Sequence, residues 1–263
     1  MGMEEIEKQF GITSTTEFED QKNEKTLPDL SFVINDDGEK YSEIIASPLQ
    51  KGMGETLGNA LRRTLLNSIP GSAITWVRID GIQHEYSSID GLKEGVIELI
   101  LNFKKIRLKA LSDRSGRLRL DVKGEGEILA GDIMTSADFE IVNPELYLAT
   151  MDKSTGTLSV EFNVEQGVGY IPSDRLAQQD LEIGRLPVDS IFTPVRKVNY
   201  EIEDYRIGNI TDLEKLHLEV WTDGSILPSD SVKIASDILM NKFFVFKDLE
   251  EASTVIDSPD TTG

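Results

Sequence analysis

The feature that most restricts the fold of this chain is a two-residue alternation of apolar and polar side chains in four separate segments. These segments are RLRLDVKGEGEI, GTLSVEFNVEQG, VRKVNYEIED and KLHLEVWTDGS. The apolar face of the first segment consists of Leu118, Leu120 and Val122, and that of the second consists of Leu158, Val160, Phe162 and Val164. The apolar face of the third segment consists of Val198, Tyr200 and Ile202, and that of the fourth consists of Leu216, Leu218 and Val220. Because successive side chains of a strand point to opposite faces, the pattern predicts antiparallel strands with one buried face.

Two longer segments and a shorter one repeat apolar residues at three- and four-residue spacing, which predicts helices. We predict a helix over 56–68, stopped by Pro70-Gly71, a helix over 229–247 with Ser229 as its N-cap, and a short helix in KEGVIELILNFKKI. The apolar stripe of the first helix consists of Leu57, Ala60, Leu61 and Leu65. That of the second consists of Val232, Ala235, Ile238, Leu239, the stem of Lys242 and Phe246. That of the short helix consists of Val96, Leu99, Ile100 and Phe103. The combination predicts an α+β fold in which a few helices pack on antiparallel sheets.

The charge balance restricts the classes of function. Of the 263 residues, 47 are acidic and 27 are basic, which gives a net charge of -20. Since phosphates are bound by concentrated basic surfaces, we expect no strong DNA binding by this chain alone. The sequence has no cysteine, which excludes disulfides and thiolate metal sites and is typical of a reducing cytoplasm.

Two further patterns concern the location of the chain. No apolar run approaches the roughly 18 residues that cross a bilayer, and the start MGMEEIEKQF lacks the features of a secretory signal. We therefore expect a cytoplasmic chain without membrane contact. The polar, charge-rich residues 1–27 predict a mobile acidic tail.

The glycine-rich string GMGETLG, with Gly52, Gly54 and Gly58, has two interpretations. A glycine-rich turn before a helix can bind a pyrophosphate on free backbone N–H groups, which would indicate a nucleotide-dependent enzyme. However, Pro48 interrupts the preceding segment where a buried parallel strand should run, and no regular alternation of strands and helices follows. We therefore favour the second interpretation, in which the glycines bring the start of the helix close to a neighbouring element.

Few other residues indicate chemistry. His84 and His217 lie in separate strand-like segments without a second ligand nearby, and we expect His217 at the surface. The sequence contains no nucleophile motif and no phosphate-binding lysine loop, so we predict no catalytic residue, no cofactor and no metal. Arg62 and Arg63 form a basic pair in the first predicted helix, where they belong either to a solvated face or to a docking site.

Several longer strings follow one another in order along the chain. They are SPLQKGMGETLGNALRRTLLNSIPGSAIT, VRIDGIQHEYSSIDGLKEGVIELILNFKKI, GEGEILAGDI, FEIVNPELYLAT, VEQGVGYIPS and PVDSIFTPVRKVNYEIEDYRIGNITDLEKLHLEVWTDGSILP, before the final helix. Together they resemble the N-terminal region of the bacterial RNA polymerase alpha subunit, over about residues 28–250. The resemblance implies a discontinuous dimerisation subdomain over 28–70 and 196–250, formed by helices on an antiparallel sheet, and an inserted β-rich subdomain over 71–195. Residues 251–263 would begin the linker to the family's small DNA-binding C-terminal domain, which we do not find in this sequence.

The resemblance also implies a function. It indicates a homodimeric scaffold that nucleates assembly of the β and β′ subunits of DNA-dependent RNA polymerase, a nucleotidyltransferase, for transcription. In the family, omega and sigma complete the holoenzyme, and the catalytic Mg²⁺ aspartates belong to β′. Members occur in the bacterial cytoplasm and in plastids. A second hypothesis is a free-standing regulator, an alpha-like fragment that sequesters β or blocks assembly.

Two sets of residues follow from these expectations. The two long helical stripes would pack across a two-fold axis. The residues expected at the dimer interface are Leu57, Leu61, Leu65, Val232, Ala235, Ile238 and Leu239, with burial in the chain's own core as the alternative. The residues that the resemblance assigns to contact with β or β′ are Arg62, Arg63, Leu66, Lys104, Asp189 and Lys197. For the arginine pair, an internal salt bridge is the alternative.

Overall fold

A computed structural model describes residues 30–36, 38–177 and 182–247. The strands are β1 Ser31–Asp36, β2 Tyr41–Gln50, β3 Pro70–Ile79, β4 Leu108–Ala110, β5 Gly116–Lys123, β6 Gly126–Leu129, β7 Phe139–Ile141, β8 Tyr147–Met151, β9 Thr157–Val168, β10 Tyr170–Ile171, β11 Arg185–Pro187, β12 Ser190–Ile191, β13 Val195–Ile207 and β14 Ile210–Thr222. The helices are α1 Met53–Ser68, α2 Val96–Phe103, α3 Ser173–Ala177 and α4 Pro228–Lys247. A few helices among many antiparallel strands confirm the predicted α+β class.

The first sheet is antiparallel in the order β1-β2-β14-β13, and α1 and α4 cover one of its faces. Since α1 and α4 also contact each other, their apolar stripes close a core between the helices and the sheet. This core consists of Ile44, Leu65, Ile69, Val195, Val198, Leu218, Val220 and Ala235. We call this sheet and its two helices the four-stranded unit.

The second sheet has the order β5-β9-β3-β4-β7, and β11 pairs with β3 as a sixth strand. The strand pairs β6-β8 and β10-β12 and the helices α2 and α3 surround it. Its largest fully buried side chains are Phe103, Phe139, Phe162, Ile79, Leu99, Leu118, Leu120, Ile128, Leu148 and Met151. We call these elements the six-stranded unit. The chain enters this unit after Ile69 and leaves it before Val195, so the four-stranded unit is formed by two separate parts of the chain.

The predicted strand faces are confirmed with one exception. The four alternating segments form β5, β9, β13 and β14, and their apolar residues turn towards the two cores. Ile202 in β13 is the exception, since it is 37% exposed although it lies close to Gly54 of α1. The short predicted helix is also confirmed as α2, whose Val96, Leu99 and Phe103 are fully buried.

The starts of the two long helices differ from the prediction. Helix α1 begins at Met53, three residues before 56, because the Glu214 carboxylate accepts hydrogen bonds from the backbone N–H groups of Gly52 and Gly54. Helix α4 begins at Pro228, so Ser229 lies inside its first turn and is not the N-cap. Proline fits the first helical position because the N–H group of a residue there has no acceptor within the helix, so the lack of an N–H in proline costs no hydrogen bond.

The segment before the glycine-rich string forms a strand, but not the buried parallel strand that Pro48 argued against. Strand β2 runs through Pro48 between β1 and β14. The register of β2 with β14 shifts between Glu214 and Leu216, and Pro48 has no cross-strand partner at this irregularity. A bulge of this kind accommodates a residue without a backbone N–H. The strand is antiparallel to both neighbours, so it does not belong to a nucleotide-binding unit of parallel strands.

Candidate interaction surfaces

The backbone amides at the start of α1 are already occupied by a carboxylate of the same chain. Glu214 Oε1 lies 2.8 Å from the Gly52 nitrogen, and Glu214 Oε2 lies 2.9 Å from the Gly54 nitrogen. The left-handed backbone of Gly52, with φ of 86°, turns both amides towards this side chain. Since a bound phosphate would need these N–H groups, the structure argues against the nucleotide-dependent enzyme.

The remaining glycines of the string bring α1 close to β13, which confirms the second interpretation. A Cβ at Gly58 would lie 2.7 Å from the Tyr200 ring, and a Cβ at Gly54 would lie 3.2 Å from the Ile202 side chain. The Tyr200 hydroxyl donates a hydrogen bond of 2.8 Å to Glu55, which raises the pKa of Tyr200. This contact fixes which face of α1 meets the sheet and which face points outward.

The outward face of α1 carries the predicted cations. Arg62, Arg63 and Leu66 are exposed, and Arg62 and Leu66 are neighbours on the helix surface at four-residue spacing. Within the described ranges, neither arginine side chain makes a hydrogen bond or an ion pair. The structure therefore does not provide the internal salt bridge that was the alternative interpretation of this pair.

The predicted pair Lys104 and Asp189 lies in the six-stranded unit. Lys104 follows α2, Asp189 lies between β11 and β12, and Lys104 Nζ is 3.0 Å from Asp189 Oδ2. The other carboxylate oxygen accepts a 2.8 Å hydrogen bond from the Ser173 nitrogen at the start of α3. This bond, followed by that of Lys104, lowers the pKa of Asp189. Lys104 Nζ also lies 5.7 Å from the centre of the Tyr170 ring.

The lowered pKa of Asp189 leads to a pH-dependent prediction. We expect Asp189→Asn to lower the melting temperature at neutral pH, because the ionised carboxylate holds both Lys104 and the start of α3. A lowered folded-state pKa stabilises the fold above the unfolded value of about 3.9, and this contribution is lost as the pH falls through the folded pKa. The difference in melting temperature should therefore shrink towards low pH. Asp113→Asn, on an exposed loop, is the control, and a pH-independent difference for Asp189→Asn would contradict the prediction.

Lys197 lies apart from the other predicted contact residues. It points to the face of the four-stranded sheet that α1 and α4 do not cover, with Nζ 4.1 Å from the centre of the Trp221 ring. Tyr41 packs against the same ring, with 4.9 Å between ring centres. The structure thus brings Arg62, Arg63 and Leu66 together and pairs Lys104 with Asp189. It places Lys197 on the other face of the four-stranded sheet.

The residues expected at the dimer interface have two kinds of surroundings. Leu65 and Ala235 are fully buried within the single chain, because they pack between the helices and the sheet. These two correspond to the alternative interpretation, an ordinary core. The half-buried residues are Leu57, Leu61, Val232, Ile238 and Leu239.

The last turns of α4 form an apolar surface that the sequence reasoning mostly missed. Phe243 is 64% exposed and Phe246 is 66% exposed, and Met240 and Val245 are similarly exposed. Only Phe246 was part of the predicted stripe. Leu239, Phe243 and Phe246 recur at four- and three-residue spacing, so the buried stripe of α4 continues onto the outside of the molecule. An uncovered apolar surface of this kind is typical of a protein–protein contact. We call it the α4 apolar patch.

The histidines are engaged in hydrogen bonds. His84 contacts Ser87, and His217 lies between Glu43 and Glu203, with its ring nitrogens 2.9 and 3.3 Å from their carboxylate oxygens. The hydrogen bond with His217 is the main cause of the lowered pKa of Glu43. The described part of the chain contains no group of three or more metal-ligating side chains placed to hold an ion. None of its helices is both long and apolar enough to cross a membrane.

The exposed helix end and the unpaired arginines are features of a protein that works through contacts with other chains. Residues 77–193 match the family described as the RNA polymerase Rpb3/RpoA insert domain. The DNA-directed RNA polymerase subunit alpha of Symbiobacterium thermophilum is 46% identical over 230 residues, which are 88% of this chain and 73% of that protein. The corresponding subunit of Moorella thermoacetica is 48% identical over 213 residues, which are 81% of this chain and 68% of that protein.

A further relative, the alpha subunit of Desulfitobacterium hafniense, is 47% identical over 219 residues, 83% of this chain and 69% of that protein. The chain belongs to the family of bacterial DNA-directed RNA polymerase alpha subunits. The resemblance drawn from the ordered sequence strings is thereby confirmed.

Proposed function

We propose that the chain forms a homodimer that serves as the scaffold on which the β and β′ subunits of RNA polymerase assemble. The α4 apolar patch is the observation that carries this proposal, since the large apolar side chains of Met240, Phe243, Val245 and Phe246 are mostly exposed in the single chain. The four-stranded unit is proposed as the dimerisation subdomain, over 28–70 and 196–250. The six-stranded unit is proposed as the inserted subdomain, over 71–195.

The position of the patch supports association with a second copy. A two-fold contact uses the same surface of both chains, so an apolar surface can bury itself against its own symmetry mate. Leu61 of α1 and Ile238 and Leu239 of α4 are half-buried, and they would extend the contact from the patch towards the core. Leu65 and Ala235 would support the helices from inside and would not touch the partner.

The unpaired cations support a separate surface for β. Arginine offers a planar set of donors to carboxylates and carbonyl oxygens, and it is common among residues that dominate the energy of protein interfaces. Arg62 and Arg63 stand beside the exposed Leu66, which provides apolar contact at the same place. Lys104, Asp189 and Lys197 are proposed as further contacts with β or β′. Omega and sigma would join later, and the bacterial cytoplasm is the proposed location.

The isolated chain should behave as a dimer in solution. We expect light scattering at micromolar concentration to give about twice the mass of one chain, because burying the α4 apolar patch stabilises the pair. We also expect no retardation of duplex DNA in gel-shift assays at physiological salt, since the net charge is -20. A monomer at this concentration would contradict the proposed homodimer.

A further inference from the structure

The chain passes between the four-stranded and six-stranded units at two neighbouring places. It crosses at Ile69 and Pro70, and it returns along 192–195. The two crossings touch, since a Cβ at Gly71 would lie 2.0 Å from the carbonyl oxygen of Phe192. Adjacent crossings form a narrow connection, and two parts of a chain joined in this way change their relative orientation unless another contact restrains them.

One ion pair spans the two units beside this connection, where the Asp223 nitrogen also donates a 3.0 Å hydrogen bond to the Pro194 carbonyl. Arg107, directly before β4 of the six-stranded unit, has its Nε 3.9 Å from Oδ2 of Asp223, directly after β14 of the four-stranded unit. Among the described residues, no other ion pair joins the units. Val142 of the six-stranded unit lies close to Gly224, within 3.0 Å of where a Cβ would stand. A charged contact and a close van der Waals contact therefore meet at one point.

The backbone of Arg107 and the carboxylate of Asp223 are each hydrogen-bonded within their own units. The Arg107 nitrogen donates to the Asn143 side chain at 2.8 Å, and the Arg107 carbonyl accepts from the Val142 nitrogen at 2.9 Å. Asp223 Oδ1 accepts from the nitrogen and the hydroxyl of Ser225 at 3.0 and 2.6 Å. An ion pair between a side chain on a fixed backbone and a fixed carboxylate limits how far the two units can turn relative to each other.

Among the described residues, Asp223 is the acid that forms ion pairs with both Arg107 and Arg196. Its Oδ2 also accepts a 2.9 Å hydrogen bond from Arg196 of β13, and its side chain is 10% exposed. Burial, followed by the charge of Arg196, lowers the pKa of Arg107. Without the Asp223 charge, Arg107 and Arg196 would repel each other in a poorly solvated place.

We propose that Asp223 is a positioning residue that fixes the orientation of the six-stranded unit relative to the four-stranded unit through Arg107. The consequence for assembly rests on the proposed function. The proposed large-subunit contacts are divided between the units, with Lys104 and Asp189 on one and Arg62, Arg63 and Lys197 on the other. A large partner can engage both sets at once only when the two units keep one mutual orientation.

Because the sequence has no cysteine, spin labels attach only to cysteines that are introduced, and the relative orientation of the two units can be measured from the distances between labels. Spin labels are introduced at exposed positions by Thr211→Cys in the four-stranded unit and Ala137→Cys in the six-stranded unit. Electron–electron double resonance then gives the distance distribution, with labelled chains diluted in unlabelled chains so that distances within one protomer dominate. A second pair, Ala137→Cys with Glu125→Cys, lies within the six-stranded unit and reports on its internal integrity.

Three variants separate the ion pair from the local turn. Asp223→Asn removes the charge but keeps an acceptor for Ser225, and Arg107→Gln removes the other partner without touching the turn. Both should broaden the distribution between the units and leave the distribution within the six-stranded unit unchanged. Arg196→Gln is the matched control, because it breaks a bond inside the four-stranded unit and should leave both distributions unchanged. Unchanged distances in both Asp223→Asn and Arg107→Gln, or equal broadening in Arg196→Gln, would overturn the proposal.

The same chains test the consequence for assembly. Asp223→Asn and Arg107→Gln should capture β at least about tenfold more weakly than the parent chain, the order expected when one partner of a buried charge pair is lost. Broader distances with unchanged β capture would overturn the proposed consequence for assembly. Failure of the parent chain to capture β would contradict the proposed function, while the distance measurement would still decide the role of Asp223.

Discussion

Replacing Phe243 and Phe246 with serine should convert the chain from a dimer into a monomer. Both side chains are about two-thirds exposed in the single chain, so their removal leaves the protomer core intact. Burying one phenylalanine contributes roughly 1.5–3 kcal/mol, and a two-fold contact would lose four of them. Allowing for partial exposure in the dimer, we expect the loss of at least about 4 kcal/mol, or a thousandfold in the dissociation constant.

The measurement is light scattering of the double variant over a range of concentrations, with circular dichroism to verify the fold. Ile183→Ser is the matched control, because Ile183 is 91% exposed in the six-stranded unit, away from α4. It makes the same change from apolar to polar outside the α4 apolar patch and should leave the dimer unchanged. A double variant that remains dimeric would place the interface elsewhere.

The second large effect concerns the exposed cations of α1. Arg62→Ala combined with Arg63→Ala should leave the fold and the dimer intact and weaken capture of β by about 30-fold or more, since truncating an interface anchor typically costs about 2 kcal/mol or more. The fold should tolerate the change because neither arginine pairs with an acid within residues 30–36, 38–177 and 182–247. Helical geometry also turns both away from Leu61, by about 100° and 200°.

Pull-down of β and thermal melting of the same variant distinguish the two roles of the arginines. Arg114→Ala with Lys123→Ala removes two exposed cations from the six-stranded unit and serves as the control for net charge. A lowered melting temperature with undiminished capture of β would show that the arginines stabilise the chain itself. It would also remove their proposed role at the interface.

The sequence predicted the parts of the fold that depend on local periodicity. Leu158, Val160, Phe162 and Val164 alternate because β9 has one buried face, and Val96, Leu99 and Phe103 recur at helical spacing because α2 packs one side on the core. Each of these patterns depends on residues that lie close together in the sequence. They therefore needed no knowledge of which elements meet in space.

Features that depend on distant residues could not be predicted in this way. Glu214 binds the amides of Gly52 and Gly54 across about 160 positions of sequence, and no local pattern indicates this contact. The apolar stripes of α1 and α4 also look the same whether a sheet or another chain covers them. The structure separates these cases, since Ala235 is fully buried by its own chain and Phe243 is not covered.

In the proposed scaffold, two copies of this chain together hold β and β′. The most direct test is native mass spectrometry of the complex captured through a tag on this chain, from cells that also express β and β′ of the same polymerase. We predict a mass that corresponds to two copies of this chain with β and β′, in a complex that is active in transcription. A complex with a single copy of this chain would contradict this proposal. Inactive β bound without β′, the complex expected of a sequestering regulator, would also contradict it.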